Sequence, residues 1–255
     1  MKEKQEDRIE SLSILNRTSG IGIEVLFCNI SHKAYISIAA VDYERRIKNA
    51  VYASERLKEP SSFEEAFSTY SGAFTATLVK HPGKFHLVFS APDLALPSGE
   101  KGIKAELTLP AFDSNTFTAD KDGWKFSCVS PLTVEGRAYI NHQPLLLSRD
   151  NTLGLYTNLS GDFRGKELSA TACTLMDEND IFWGYVSHDR SGLVMRSEIN
   201  YPATLKEEVL FEFQEKVPKG HVNCSYLRLT GSFEYDNGER RQIKPCYGVR
   251  TSFLI

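Results

Sequence analysis

The sequence predicts an all-β protein built from antiparallel strands, and two observations support this prediction. The first is a series of runs in which apolar and polar residues alternate, the pattern of strands with one buried face. The second is the turn chemistry between those runs. It is clearest at Asp236-Asn237-Gly238, because Asn-Gly between two alternating runs is a strong short-range signal for a β-hairpin. Related turns are predicted at 81–83, 121–123 and 189–192.

The first strand pair is predicted at Ile21–Ile30 and 34–41, with a turn at 31–33. Both runs mix alternation with adjacent apolar residues, which indicates strands that are buried on both faces for part of their length. Residues 1–10 are polar and charged, and we expect them to form a disordered tail.

One short helix is predicted at 61–70. Pro60 precedes this segment, and Glu64 and Glu65 occupy its first turn, where the helix dipole favours negative charge. Apolar residues recur from Phe63 at i, i+3, i+4 and i+7, which would give the helix one apolar stripe. Such a helix would either cover one end of a barrel or pack on its outside.

The remaining strands are predicted to follow one another with short turns. They are 73–79, 84–90, 103–109, 124–129, 134–141, 144–147, 153–157, 168–176, 181–188, 193–199, 207–216, 222–235 and 240–255. About fifteen strands exceed one ordinary eight-stranded barrel. We therefore expect one or two lipocalin-like barrels, with an N-terminal β-barrel-like half at 11–130 and a C-terminal β-barrel-like half at 131–255.

Composition and charge argue against several functional classes. The chain has 255 residues and a net charge of −3, which argues against a general nucleic-acid binder. The charged group Arg45, Arg46 and Lys48 is expected to be a solvated turn. The first residues lack the apolar segment of a signal peptide, and no run is long and apolar enough to span a membrane. The five scattered cysteines form no C-x-x-C pair, so we expect reduced thiols in a cytoplasmic protein.

The sequence contains no recognisable catalytic, nucleotide-binding or metal-binding motif, so no cofactor and no metal are predicted. The run 182–189 combines aromatic side chains with hydroxyl, imidazole and carboxyl groups. On a strand, Trp183, Tyr185 and Ser187 share one face, which could line a ligand cavity. We place Trp124 with them as a substrate-binding residue. The alternative is that these aromatic residues form an ordinary layer of the core.

His142 and Tyr139 are the predicted catalytic residues. They lie at the end of a predicted strand, where an imidazole and a phenol would stand beside amide side chains. In the alternative interpretation, His142 is a turn residue that faces water.

The order of segments from residue 89 onward resembles a known family. Ser90-Ala91-Pro92-Asp93-Leu94 is followed by Gly123-Trp124-Lys125-Phe126-Ser127, then by 133–141, and the chain ends on the hairpin at Asn237-Gly238. This layout resembles the lipocalin-like two-barrel proteins that include carotenoid hydratases and fungal pericyclases. The resemblance implies two barrels and an apolar ligand pocket. The family's usual His-x-Trp is absent, since Gln143 and Pro144 follow His142, which argues against hydratase-type chemistry.

Three functions follow as alternatives. In the first, the protein is a biosynthetic enzyme, such as a natural-product cyclase, isomerase or hydratase, that holds a hydrophobic molecule in a reactive conformation against Trp183, Tyr185 and Tyr139. In the second, it carries a lipophilic ligand without chemistry. In the third, it is a β-sandwich interaction module without a pocket. Oligomeric state and ligand identity do not follow from the sequence.

Overall fold

The computed structural model describes most of the chain and shows antiparallel strands throughout. The described residues are 7–31, 33–56, 66–70, 74–96, 99–111, 115–121, 124–148, 150–163, 169–176, 182–187, 193–196, 199–234 and 237–254. They form nineteen strands and no helix. The all-β antiparallel prediction is therefore confirmed. Among the described residues there is also no helix with the length and hydropathy of a membrane span.

The strands are numbered in chain order. They are β1 (Asp7–Asn16), β2 (Ile21–Ile30), β3 (Lys33–Asp42), β4 (Ile47–Arg56), β5 (Ala66–Tyr70), β6 (Thr75–His81), β7 (Lys84–Ala95), β8 (Lys101–Pro110), β9 (Asn115–Lys121), β10 (Trp124–Thr133), β11 (Glu135–Ile140), β12 (Gln143–Leu145), β13 (Thr152–Gly161), β14 (Ser169–Met176), β15 (Phe182–Ser187), β16 (Leu193–Arg196), β17 (Ile199–Val217), β18 (Gly220–Glu234) and β19 (Arg240–Leu254).

These strands form three layers. A seven-stranded sheet has the order β4-β3-β2-β1-β13-β10-β9, and a six-stranded sheet has the order β12-β11-β8-β7-β6-β5. The last six strands, β14 to β19, form a closed barrel. The seven-stranded sheet is the middle layer, because its two faces pack against the other two layers.

Burial on both faces explains the composition of the first strands. In β2, Ile23, Val25 and Phe27 pack against the six-stranded sheet, whereas Leu26 and Cys28 pack towards the barrel. Successive side chains of a strand point to opposite faces, so a strand in the middle layer needs buried residues at every position. The prediction that this strand pair is buried on both faces is confirmed.

A β-bulge changes the face to which β10 contributes. The pairing of β10 with β13 shifts between Val129 and Leu132, where Pro131 lies. Before the bulge, Phe126 and Cys128 pack on the barrel side of the sheet; after it, Leu132 packs on the opposite side. An extra residue in one strand reverses the alternation, and proline is tolerated there because a bulge interrupts the hydrogen-bond ladder.

The predicted turns are confirmed where the structure describes them. Ile30 pairs with Lys33, His81 pairs with Lys84, and β18 and β19 flank the turn at 237–239. Gly83 and Gly238 have φ of 74° and 81°, a left-handed conformation that glycine adopts without steric cost. The turn at 189–192 lies outside the described residues, as do residues 122 and 123 of the turn predicted at 121–123.

Two predictions about local structure are wrong in part. Residues 7–10 belong to β1 and pair with β2 and β13, so the prediction of a tail is wrong for these residues. Residues 1–6 lie outside the described residues. Residues 66–70 form β5, which pairs with β6, and are not helical. Over five residues an apolar pattern fits either period, and the ladder to β6 decides the outcome. Residues 61–65 lie outside the described residues.

The predicted division of the chain at residues 130 and 131 remains untested as a domain boundary. Strand pairing places β11 in the six-stranded sheet and β13 in the seven-stranded sheet, next to β1. The barrel begins at β14.

Candidate functional site at the junction of sheet and barrel

A set of buried polar side chains lies where the seven-stranded sheet packs against the barrel strands β17, β18 and β19. We call this region the junction. From the sheet it includes Ser11, Ser13, Glu24 and Thr157, and from the barrel it includes Tyr226 and Thr251. Each of these side chains is at most 6% exposed. Buried polar groups are costly unless they have hydrogen-bond partners, so their presence at one interface calls for an explanation.

Glu24 is the centre of this group. Its Oε2 accepts a hydrogen bond from Ser13 Oγ at 2.5 Å, and its Oε1 accepts one from Tyr226 Oη at 2.6 Å. Ser13 belongs to the neighbouring strand of the same sheet, whereas Tyr226 belongs to the barrel. Ser13 Oγ also lies 3.3 Å from Thr251 Oγ1 of β19. The carboxyl group therefore joins the sheet to the barrel.

Gly22 makes room for Tyr226. A Cβ atom at position 22 would lie only 2.0 Å from Tyr226 Oη. The ring of Tyr226 is further held by Tyr43, which stacks on it with ring centroids 5.3 Å apart and an interplanar angle of 11°. The strand thus places a residue without a side chain two positions before the glutamate, and this lets the phenol approach the backbone of β2 and reach the carboxyl group.

Burial raises the pKa of Glu24 to about 7. The cause is desolvation, which penalises the charged carboxylate. The hydrogen bonds from Ser13, Tyr226 and Cys224 act in the opposite direction, and the negative charge of Glu215 adds a smaller upward effect. Near neutral pH, both the protonated and the ionised form of Glu24 are therefore populated, as general acid–base chemistry requires.

Other ionisable groups surround the junction. Lys48 of β4 forms an ion pair with Glu215 of β17, and its ammonium lies 4.4 Å from the centroid of the Phe213 ring. Lys48 is therefore not part of a solvated turn, in contrast to the exposed Arg45 and Arg46. Burial also raises the pKa of the Cys224 thiol and the Tyr226 phenol well above their ordinary values, so both remain protonated at neutral pH.

A row of hydroxyl groups leads away from Glu24 across the sheet. Ser13 and Ser11 point to the same face of β1, and Ser11 is the register partner of Thr157 in β13. We call Ser13, Ser11 and Thr157 the hydroxyl strip. Thr157 is in turn the register partner of Cys128 in β10. Thr157 is 1% exposed, and its Oγ1 has no hydrogen-bond partner among the described residues.

A second buried carboxyl group, Glu10, lies on the opposite face of the sheet and has a structural role. Its Oε1 lies 2.8 Å from both Arg8 Nε and Lys80 Nζ, and its Oε2 accepts a hydrogen bond from Tyr156 Oη at 2.7 Å. Lys80 belongs to the six-stranded sheet, so this cluster joins the two sheets at the end of β1. Two cations balance Glu10, whereas Glu24 receives hydrogen bonds from neutral groups only.

The predicted substrate-binding residues lie on the barrel side of the molecule. Trp124 begins β10 and is 4% exposed, on the face that packs towards the barrel. Trp183, Tyr185 and Ser187 belong to β15, for which the structure describes only the backbone at these positions, and β15 lies against β10. The strands that carry these residues are therefore neighbours. That the side chains line one cavity remains a prediction.

The predicted catalytic pair lies elsewhere, in the six-stranded sheet. Tyr139 is half-buried in β11, and the ammonium of Lys104 lies 5.0 Å from the centroid of its ring. His142 is exposed in the turn between β11 and β12, where it has a φ of 65°. This position agrees with the interpretation of His142 as a turn residue. A catalytic role of the two residues remains a prediction.

Sequence reasoning did not identify Glu24, although β2 carried a signal. In the run Ile21–Ile30, Gly22, Glu24 and Asn29 are exceptions to an otherwise apolar strand that is buried on both faces. A glycine inside a strand often marks a close approach of another group, and a charged residue in such a strand has no solvated face to occupy. Together they indicate a buried polar contact, but not its partner.

Thiols and metal ligands give no further site. Cys28, Cys128 and Cys224 are buried, and none of these three described cysteines forms a disulfide bond. Within the described part of the chain, no three His, Cys, Asp or Glu side chains are grouped so that they could hold a metal ion.

Comparison with known proteins shows the fold. No protein-family model and no curated protein match the sequence. Among solved structures, the chain is similar to a Nitrosomonas europaea protein provisionally named AttH, with 7% identity, a TM-score of 0.54 and coverage of 99% of this chain and 93% of the other. It is also similar to kievitone hydratase from Nectria haematococca, with 9% identity, a TM-score of 0.53 and coverage of 97% and 88%. CghA, in a structure with Sch210972, matches with 8% identity, a TM-score of 0.53 and coverage of 98% and 89%. The resemblance to lipocalin-like two-barrel proteins is confirmed at the level of the fold.

Proposed function

We propose that this protein binds a hydrophobic small molecule between the seven-stranded sheet and the barrel and converts it by isomerisation, cyclisation or hydration. Trp124, Trp183, Tyr185 and Ser187 would form the apolar and aromatic part of the site. Glu24 would supply or remove a proton. Holding the substrate in one conformation would contribute the rest of the rate enhancement.

The observation that carries this proposal is the environment of Glu24. A carboxyl group whose pKa is near 7 is suited to general acid–base chemistry, because it can donate a proton in one step and accept one in the next. The hydroxyl groups of Ser13 and Tyr226 can rotate to donate to the ionised form or to accept from the protonated form. Glu24 can therefore change its protonation state without loss of its partners.

The likeness to solved structures adds support at the level of the fold. One of these proteins is named a hydratase, and another was solved with the small molecule Sch210972. A fold hosts many functions, so the choice of reaction has to come from the site. In this chain apolar side chains pack on both faces of the seven-stranded sheet, and Glu24 with its hydroxyl partners lies on the barrel side, which directs the search for a ligand to that side.

Native mass spectrometry of the freshly purified protein tests ligand binding. We expect a bound lipophilic molecule that is released on denaturation. Trp183→Ala should lose this molecule and keep its melting temperature, because a residue in a cavity wall borders the ligand instead of packed neighbours. A collapse of the melting temperature would instead identify Trp183 as a core residue. Retention of the molecule by a folded variant would also contradict the site.

Incubation of the protein with the released molecule in D2O separates an enzyme from a carrier. Proton transfer to carbon through Glu24 would introduce deuterium into the molecule, and Glu24→Gln would not. Glu208→Gln, at an exposed carboxyl group of β17, is the matched control and should behave as the wild type. Recovery of the molecule unchanged and free of deuterium from the wild type would favour the carrier function.

A further inference from the structure

The hydroxyl strip ends in a group whose hydrogen-bonding capacity is unused. Thr157 Oγ1 is buried and has no partner in the part of the chain that the structure describes, although a hydroxyl group can donate one hydrogen bond and accept two. A buried polar atom in this state costs folding free energy, so native proteins retain few of them. A valine would fill the same volume at this position without that cost.

The surroundings of Thr157 are suited to the oxygen of an otherwise apolar molecule. Its register partners are Ser11 on one side and Cys128 on the other. Along β10 the same face continues with Phe126 and Trp124, which are buried and apolar. The barrel strand β14 lies against both β13 and β10, and β15 lies against β10, so these strands form the opposite wall.

We propose that Thr157, with Ser11, is the polar subsite of the ligand site and binds a hydroxyl or carbonyl oxygen of an apolar ligand. The hydrocarbon part of the ligand lies along Cys128, Phe126 and Trp124 towards β15. From this oxygen, the strip extends towards Glu24 along the same face of the sheet, past Ser11 and Ser13. This inference rests on the proposed function, and it specifies the class of substrate as lipophilic molecules with an oxygen at one end.

The test compares two probes of similar shape, 1-naphthol and 1-methylnaphthalene, by equilibrium dialysis against the purified protein. The wild type should bind 1-naphthol more tightly. Thr157→Val should weaken 1-naphthol binding between about twofold and tenfold, the effect of one neutral hydrogen bond, and leave 1-methylnaphthalene binding unchanged. Thr157→Ser keeps a hydroxyl group and should retain the preference for 1-naphthol.

Thr108→Val is the matched control, because Thr108 is a half-buried threonine of β8 in the six-stranded sheet. Circular dichroism and thermal melting confirm that each variant is folded. If Thr157→Val weakens the binding of both probes equally, or of neither, Thr157 is not the polar subsite. The proposal of a ligand site between the sheet and the barrel would still stand in that case. If the wild type binds neither probe, the proposed apolar site is itself wrong.

Discussion

The two faces of the seven-stranded sheet differ in chemistry, although the same strands form both. The face towards the six-stranded sheet is apolar through its centre, and its buried carboxyl group, Glu10, is balanced by Arg8 and Lys80 at the end of β1. The face towards the barrel carries Glu24 with hydroxyl partners on both sides of the junction. Burial of apolar area stabilises without regard to pH, whereas a buried neutral carboxyl group makes stability depend on it. The stability contributed by the first face should therefore be independent of pH, whereas the second face, where we propose the ligand site, should make stability depend on pH.

The largest expected effect concerns the apolar face. Phe89 of β7 is 1% exposed and packs in the core between the two sheets. Phe89→Ala should lower the free energy of unfolding by about 3–5 kcal/mol, because it removes a buried ring and leaves a cavity. The loss, measured by urea denaturation, should be the same at pH 5 and pH 8. Val88→Ala, at an exposed position of the same strand, is the control and should have little effect. A loss that changes with pH would contradict the contrast between the faces.

The second effect concerns the pH dependence of the junction. The folded protein raises the pKa of Glu24 from 4.5 to about 7, so the folded state binds a proton more tightly than the unfolded state does. The resulting stability is fully present below pH 4.5, falls as the pH rises towards 7, and is absent above that. Between low and high pH, the contribution of Glu24 to the free energy of unfolding changes by about 3 kcal/mol.

Urea denaturation of the wild type and Glu24→Gln between pH 4.5 and pH 8 measures this contribution. As the pH rises over that range, the free energy of unfolding of the wild type should fall by about 3 kcal/mol relative to that of Glu24→Gln. Glu208→Gln controls for the loss of a carboxyl group at an exposed site. If the stability curves of the wild type and Glu24→Gln run parallel, the pKa of Glu24 is the same in the folded and unfolded states.

The smallest effect concerns the packing that positions Tyr226. Gly22→Ala would bring a methyl group into collision with the phenol, and the ring would have to move. We expect a loss of about 1–3 kcal/mol, as for other overpacked sites, together with a weaker pH dependence, because the displaced phenol no longer reaches Glu24. Gly154→Ala in β13 is the matched control, since its new Cβ atom would lie 3.2 Å from Leu132 Cβ and require less movement. Equal losses in the two variants would show that Tyr226 adapts freely.

The local features of the fold were accessible from the sequence. Alternation and turn residues identified most of the strands, the turns at 31–33 and 81–83, and the burial of β2 on both faces. These features follow from interactions between near neighbours in the chain. The strands β1, β4 and β9 were not predicted. Where two local patterns competed, as at 66–70, the prediction of a helix was wrong, because a strand partner outside the segment decided the conformation.

The candidate site depended on the tertiary structure. The sequence showed Gly22 and Glu24 as exceptions within an apolar strand, but the donors to Glu24 are 11 and 202 residues away in the chain. Only the packing of the barrel on the sheet brings Tyr226 to the carboxyl group, and this burial is the main cause of the raised pKa of Glu24. In the same way, strand pairing alone set Thr157 beside Ser11. The sequence by itself therefore determined most of the strands and several of the turns between them, because those preferences are local. Tertiary structure decided which polar residues are buried together, because desolvation depends on contacts that no short segment contains.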